Sequence, residues 1–105
     1  MLTIFETDIF QKHAAAIWSD SEREEFIYWL AQNPMSGDVI QGTGGLRKVR
    51  WTRSGMGKRG GARVIYYNLL ENGHIWLLIA YTKTKFDNLP TEFLNQLKNE
   101  VINNG

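Results

Sequence analysis

The chain has 105 residues, carries 12 Lys and Arg against 11 Asp and Glu, is 43% hydrophobic and 22% charged, and contains no cysteine. Such a length implies a single domain, residues 1–105, with a modest core, and the lack of cysteine excludes a disulfide framework, thiolate metal sites and a thiol nucleophile. No run reaches the roughly 18 apolar residues of a membrane helix, and the first residues lack a basic stretch followed by an apolar one, so no signal peptide is expected and the protein is read as cytoplasmic.

Leu2 to Glu6 reads as a short strand, with Leu2, Ile4 and Glu6 alternating against Thr3 and Phe5. Thr7 or Asp8 is placed to cap a first helix, whose apolar stripe is Ile9, Phe10, Ala14 and Ile17. His13 lies on that stripe and reads as a packing residue. Ser19 opens a second helix, with Glu22 three residues later as a capping box. Glu22, Glu24 and Glu25 place negative charge where the helix dipole favours it. Phe26, Ile27, Leu30 and Ala31 form the inward face, and Asn33-Pro34 ends the helix because the residue before proline is pushed out of the α region. The two helices are expected to form an antiparallel hairpin packed on a sheet.

Gly37 to Gly45 reads as loop with a short extended piece at Asp38–Gln41. Leu46 to Arg53 is a predicted strand whose period of two sets Arg47, Val49 and Trp51 on one face and Lys48, Arg50 and Thr52 on the other. Val49 and Trp51 mark the inward face, so Lys48 and Arg50 are expected to project together from the opposite one. Ser54 to Gly61 is a basic loop. Ala62 to Leu70 and His74 to Thr82 are predicted strands joined at Glu71-Asn72-Gly73, since Asn-Gly is a strong hairpin signal. The second of these is nearly all apolar and is expected in the interior of the sheet. After a connection from Lys83 to Asn88, a last helix is predicted over Pro90–Ile102, with Pro90 in its first turn and Phe93, Leu94, Leu97 and Val101 as its stripe. The order β-α-α-β-β-β-α describes an α+β domain: an antiparallel sheet packed by an N-terminal helical hairpin and a C-terminal helix.

Charge is unevenly spread along this order. Between Val39 and Leu70 there is no Asp or Glu, while seven cations fall there: Arg47, Lys48, Arg50, Arg53, Lys58, Arg59 and Arg63. The remainder holds 5 cations and 11 acids, a formal −6 against +7, and eight of the ten glycines lie between Gly37 and Gly61. Ordinary surfaces intersperse both signs, so an uncompensated basic segment points to a surface that meets phosphate. A solvated face, and glycines that serve only as turn residues, is the plainer alternative. Nucleotide folds are excluded: G-x-x-x-x-G-K-[ST] is absent, and the G-x-G-x-x-G at Gly55–Gly60 leads into a strand and not a helix. There is no acidic pair, no H-E-x-x-H and no Cys/His cluster, so metal-assisted hydrolysis lacks ligands and no cofactor is expected.

The run Asp38-Val39-Ile40, then Gly42-Thr43-Gly44-Gly45-Leu46-Arg47-Lys48-Val49-Arg50, then Gly57-Lys58-Arg59-Gly60-Gly61-Ala62-Arg63-Val64-Ile65-Tyr66-Tyr67, with Tyr81-x-Lys83 after the apolar strand, resembles the RelE/HigB superfamily of type II toxin–antitoxin toxins, most closely its HigB-like branch. That resemblance implies a ribosome-dependent endonuclease that cuts messenger RNA without a metal and so inhibits translation. It implies the ribosome and mRNA as partners, a cognate antitoxin of helix-turn-helix type, and operator DNA contacted only through that antitoxin. By position it assigns the scissile phosphate to Lys48 and Arg50 on one strand and Arg63 on the next, with Lys83 and Lys85 completing the site. Arg47, Arg53, Lys58 and Arg59 supply further RNA-binding charge. Where the best-studied branch has a tyrosine proton acceptor at the start of the last helix, this chain has Leu89-Pro90. Tyr81 is a candidate acceptor by proximity, with core packing as its equal alternative. Arg63 has an alternative too, a structural ion pair with Glu71 or Asp38. Two other functions stay open: a same-fold toxin with another target, such as a ParE-like gyrase poison, and a nonenzymatic nucleic-acid-binding domain.

Overall fold

The computed structural model describes residues 2–51, 61–82 and 89–104. Its elements in chain order are β1 Thr3–Glu6, α1 Asp8–Ile17, α2 Asp20–Gln32, β2 Asp38–Val39, β3 Leu46–Trp51, β4 Ala62–Leu69, a short 3-10 turn at Leu70–Asn72, β5 His74–Thr82 and α3 Thr91–Asn104. This is the expected α+β order with one addition, the short strand β2 ahead of β3.

Thr7, not Asp8, is the cap of α1. Its hydroxyl accepts from the Phe10 amide at 3.0 Å and donates to the Leu78 carbonyl at 3.0 Å, which fastens the helix start to β5. Asp8 then falls in the first turn, on the favourable side of the helix dipole. At α2 the capping box forms as read: the Ser19 side chain takes the Glu22 amide, and the Glu22 carboxylate takes the Ser19 amide. Asn33 closes that helix ahead of Pro34. Pro90 stands one residue outside α3, not within its first turn, and its carbonyl accepts from the Leu94 amide at 3.1 Å.

The strands form one sheet in the order β1-β5-β4-β3-β2. The antiparallel pairs are β5–β4, β4–β3 and β3–β2, whereas β1 runs parallel to β5. A parallel neighbour needs a long crossover connection. The crossover here is most of the chain, so local hairpin signals carry no trace of it. The extended piece at Asp38–Val39 is a true edge strand on β3.

Helices cover both faces of the sheet. On one face Phe10, Ala14, Trp18, Phe26 and Leu30 pack on Val49, Val64, Tyr66, Ile75, Leu77 and Ala80. On the other, Leu94, Leu97 and Val101 of α3 pack on Leu46, Ile65, Leu78, Ile79 and Tyr81. β5 is therefore buried from two sides and flanked by strands at both edges, which explains its nearly unbroken apolar sequence. Each large side chain so enclosed contributes about 1.5–3 kcal/mol.

One irregularity sets which side chains face where. Ile65 pairs with Ile79 but Tyr66 pairs with Leu77, so β5 holds an extra residue at Leu78. Leu78 and Ile79 consequently share the α3 face, and the alternation beyond them is reversed. Without that bulge Tyr81 would point toward α1 and α2.

Candidate anion-binding site

Alternation along β3 sorts its cations by face. Leu46 belongs to the cluster beneath α3, so Lys48 and Arg50 share that face, while Val49 and Trp51 belong with α1 and α2. Burial falls steadily toward the strand end: Leu46 is fully enclosed, Lys48 half-buried and Arg50 exposed. The register then adds a third strand and a fourth residue. Arg50 stands directly opposite Arg63, and Arg63 directly opposite Tyr81. Cross-strand partners lie about 5 Å apart, and like charges so placed repel each other.

Among the described residues no acid is ion-paired to the two arginines to relieve that repulsion. Among the described residues, neither Lys48, Arg50 nor Arg63 makes an ion pair. The two alternatives for Arg63 are ruled out by topology. Asp38 is the register partner of Lys48, two strands away from Arg63, and Glu71 lies in the turn beyond the far end of β4. Two guanidinium groups and an ammonium thus share one face, and among the described residues none of the three is ion-paired, although the Asp38 carboxylate lies opposite Lys48 in the β2–β3 register.

Tyr81 closes the row on its inner side. It is 2% exposed and packs in the α3 cluster. Burial pushes its phenol above the ordinary tyrosine range, and the nearby Arg63 guanidinium opposes that shift only in part. At neutral pH the side chain is a neutral phenol, a donor and not a tyrosinate base.

Arg47 does not join the row. It points to the opposite face, where its Nη1 donates to the Gly37 carbonyl at 2.6 Å and to the Met35 carbonyl at 3.4 Å. These bonds tie Arg47 to the α2–β2 connector. The same α2–β2 connector is held by the Tyr66 hydroxyl, which donates to the Pro34 carbonyl at 2.8 Å and accepts from the Gly37 amide at 2.9 Å. Asn68 adds a bond to Pro34 at 2.9 Å. Space there is tight: a Cβ at Gly37 would sit 2.9 Å from both the Lys48 carbonyl oxygen and the Tyr66 hydroxyl.

The glycine-rich turn before β3 is scaffold as well. Gly42, Gly44 and Gly45 have positive φ of 79°, 70° and 117°, a conformation glycine adopts without a Cβ clash. Thr43 is buried, donates to the Ile40 carbonyl at 2.6 Å and accepts from the Leu46 amide at 3.2 Å. From α3, Lys98 donates to the Thr43 and Gly44 carbonyls at 2.9 and 3.2 Å and lies over the Tyr67 ring. Asn95 donates to the Gly42 carbonyl at 3.1 Å. Lys98 escaped the sequence reading. The sole signal was its i,i+3 spacing from Asn95 on the polar side of the last helix.

Arg53, Lys58, Arg59, Lys83 and Lys85 lie outside the described residues. The residues that flank their segments converge: Ala62 is the register partner of Trp51 on one side and of Thr82 on the other. The described parts of β3, β4 and β5 therefore end together where Arg50, Arg63 and Tyr81 line up. Among the described residues, no three His, Cys, Asp or Glu side chains gather in a geometry that holds a metal, and no helix is long and apolar enough to cross a membrane.

No protein-family model matches the chain. Its fold is similar to a solved structure of E. coli toxin RelE, a double arginine-to-alanine mutant in the free state, with a TM-score of 0.59 and 12% identity over 82% of this chain and 87% of that one. The likeness is one of architecture: three helices on a five-stranded sheet, arranged as in RelE.

Proposed function

We propose that this chain is the toxin of a bacterial type II toxin–antitoxin pair, of the HigB-like branch, and that it acts in the cytoplasm by cleaving messenger RNA on the ribosome. The observation that carries the reading is the Arg50–Arg63 pair, like charges set opposite each other on one face with Lys48 alongside and, among the described residues, no ion pair to either arginine. Such an arrangement is unfavourable alone and is relieved by an anion.

RNA brings its own nucleophile in the 2′-hydroxyl. The protein must align it, take its proton, neutralise the phosphorane and assist the leaving 5′-oxygen. Arg63 clamps the scissile phosphate, since a planar fork grips two oxygens at once. Arg50 and Lys48 neutralise the remaining charge, with Lys83 and Lys85 adding to it. A well-placed donor of this kind is worth about 3 kcal/mol in the transition state. Tyr81, held neutral, positions Arg63 and serves as a donor. Arg53, Lys58 and Arg59 extend the basic surface along the message. An acidic segment of the antitoxin covers this same face in the inhibited complex, so association slows as salt rises. A gyrase poison of ParE type is the weaker reading, because that branch lacks the cations that Lys48 and Arg50 supply.

The test is purified protein on translating ribosomes with chelator present. The expected products are message fragments ending in a 2′,3′-cyclic phosphate and beginning with a 5′-hydroxyl. Message that stays intact while ribosomes are bound would leave a nonenzymatic binder; gyrase-dependent DNA damage in cells would favour the other toxin class.

A further inference from the structure

Among the described residues, the row of cations lacks one chemical part, a group that accepts the 2′-hydroxyl proton. Lysine and arginine are protonated at neutral pH. Tyr81 is buried and held as the neutral phenol. Of the two histidines, His13 is on α1, and His74 lies at the opposite end of β5, paired with Leu69 and Thr3.

Asp38 is differently placed. It stands opposite Lys48 in the β2–β3 register, so its side chain leaves the sheet on the same face as Lys48 and Arg50. Directly opposed residues are about 5 Å apart and diagonal ones about 7–8 Å, so Asp38 and Arg50 are one nucleotide's reach from each other. β2 is the sheet edge, so no strand covers Asp38 from the far side, and the residue is exposed. Glu6, the other described strand carboxylate, sits on β1 in register with Leu77 of the α1/α2 face. Although Asp38 faces Lys48, the two make no ion pair, and each is able to turn to a ligand.

We infer that Asp38 is the general base of the cleavage reaction, an inference that rests on the endonuclease reading above. Its carboxylate takes the proton of the 2′-hydroxyl. The 2′-oxygen forms a bond to phosphorus, the bond from phosphorus to the 5′-oxygen breaks, and that oxygen leaves with a proton supplied by Lys48 or water. The products are a 2′,3′-cyclic phosphate and a 5′-hydroxyl, with no oxidant or cofactor consumed. The neighbouring ammonium and guanidinium tie the carboxylate's position to that of the phosphate.

The experiment is single-turnover cleavage of ribosome-bound message by the full chain, the Asp38→Asn variant and the Asp38→Glu variant, with binding measured separately. A positioned base contributes roughly 10²–10⁴-fold. Asp38→Asn is expected to slow cleavage at least about a hundredfold with ribosome affinity kept or strengthened, and Asp38→Glu to recover part of the rate. The sign separates this role from a merely electrostatic one. If Asp38 only offsets Lys48, removing its charge strengthens RNA binding and leaves the cleavage rate at or above the parental value; that result overturns the inference alone. A wild-type chain that never cleaves would overturn the endonuclease reading together with it.

Discussion

Arg47 and Arg50 lie three residues apart on one strand and have opposite fates. Arg47 turns toward the α1/α2 side and spends its guanidinium on the carbonyls of Gly37 and Met35. Arg50 turns to the α3 side and meets another arginine. The first is half-buried and bonded within the protein, the second exposed and without an acid partner. Identical side chains in one basic run thus divide into one bonded to the framework and one on the face of the candidate site. What divides them is the parity of the strand, not the density of charge.

Substitutions can test that division, the largest effect coming from Arg63. If it is the clamp, Arg63→Lys keeps the fold and slows message cleavage about a hundredfold, the equivalent of about 2.7 kcal/mol of transition-state binding. A well-folded variant that cuts at the parental rate would move Arg63 to the framework class with Arg47. Arg47→Ala has the reverse signature. It leaves the Gly37 carbonyl beside a buried backbone without its donor, at a cost of about 1–3 kcal/mol in urea unfolding, while cleavage per folded molecule persists. Lys98→Met belongs with Arg47: two carbonyls and the Tyr67 ring lose their cation, and about 1–2 kcal/mol of stability goes with it.

Arg50→Gln sharpens the contrast further. Relief of the opposed pair raises stability by about 0.2–1 kcal/mol while cleavage falls, and a variant that lost both would show that Arg50 is structural. The smallest effect concerns Tyr81. Its folded pKa is raised above the ordinary 10.0, so the folded state holds the proton more tightly than the unfolded one. That contribution is complete below pH 10 and is lost as pH climbs through the alkaline range. Unfolding curves of the parent and Tyr81→Phe are expected to differ by a constant amount at neutral pH and to converge or cross above pH 10. A pH-independent difference would show that the phenol does not titrate differently on folding.

Much of the fold was legible because its signals are local. Ser19 and Glu22 are three residues apart, so their capping box depends on nothing distant. Asn33-Pro34 stops a helix wherever it occurs, and Gly73, with a φ of 73°, closes the β4–β5 turn. The candidate site was legible in part for the same reason, since the period of two already set Lys48 and Arg50 on one face and Arg47 on the other. The bond of Arg47 to the Gly37 carbonyl, ten residues back, was not legible, because such a partner leaves no mark in a list of charges.

The sequence by itself determined the element order, the helix caps, the apolar stripes and the segregation of charge, all of which follow from spacings within a turn or a strand. Tertiary structure alone decided that β1 joins β5 in parallel, that Arg50 meets Arg63, that Asp38 faces Lys48, and that the extra residue at Leu78 swings Tyr81 to the basic face. Each of these is a matter of register, and register is set by how distant strands bury their faces together. A slip of one residue would send every side chain of a strand to the other side, which is why neither composition nor local periodicity reveals it.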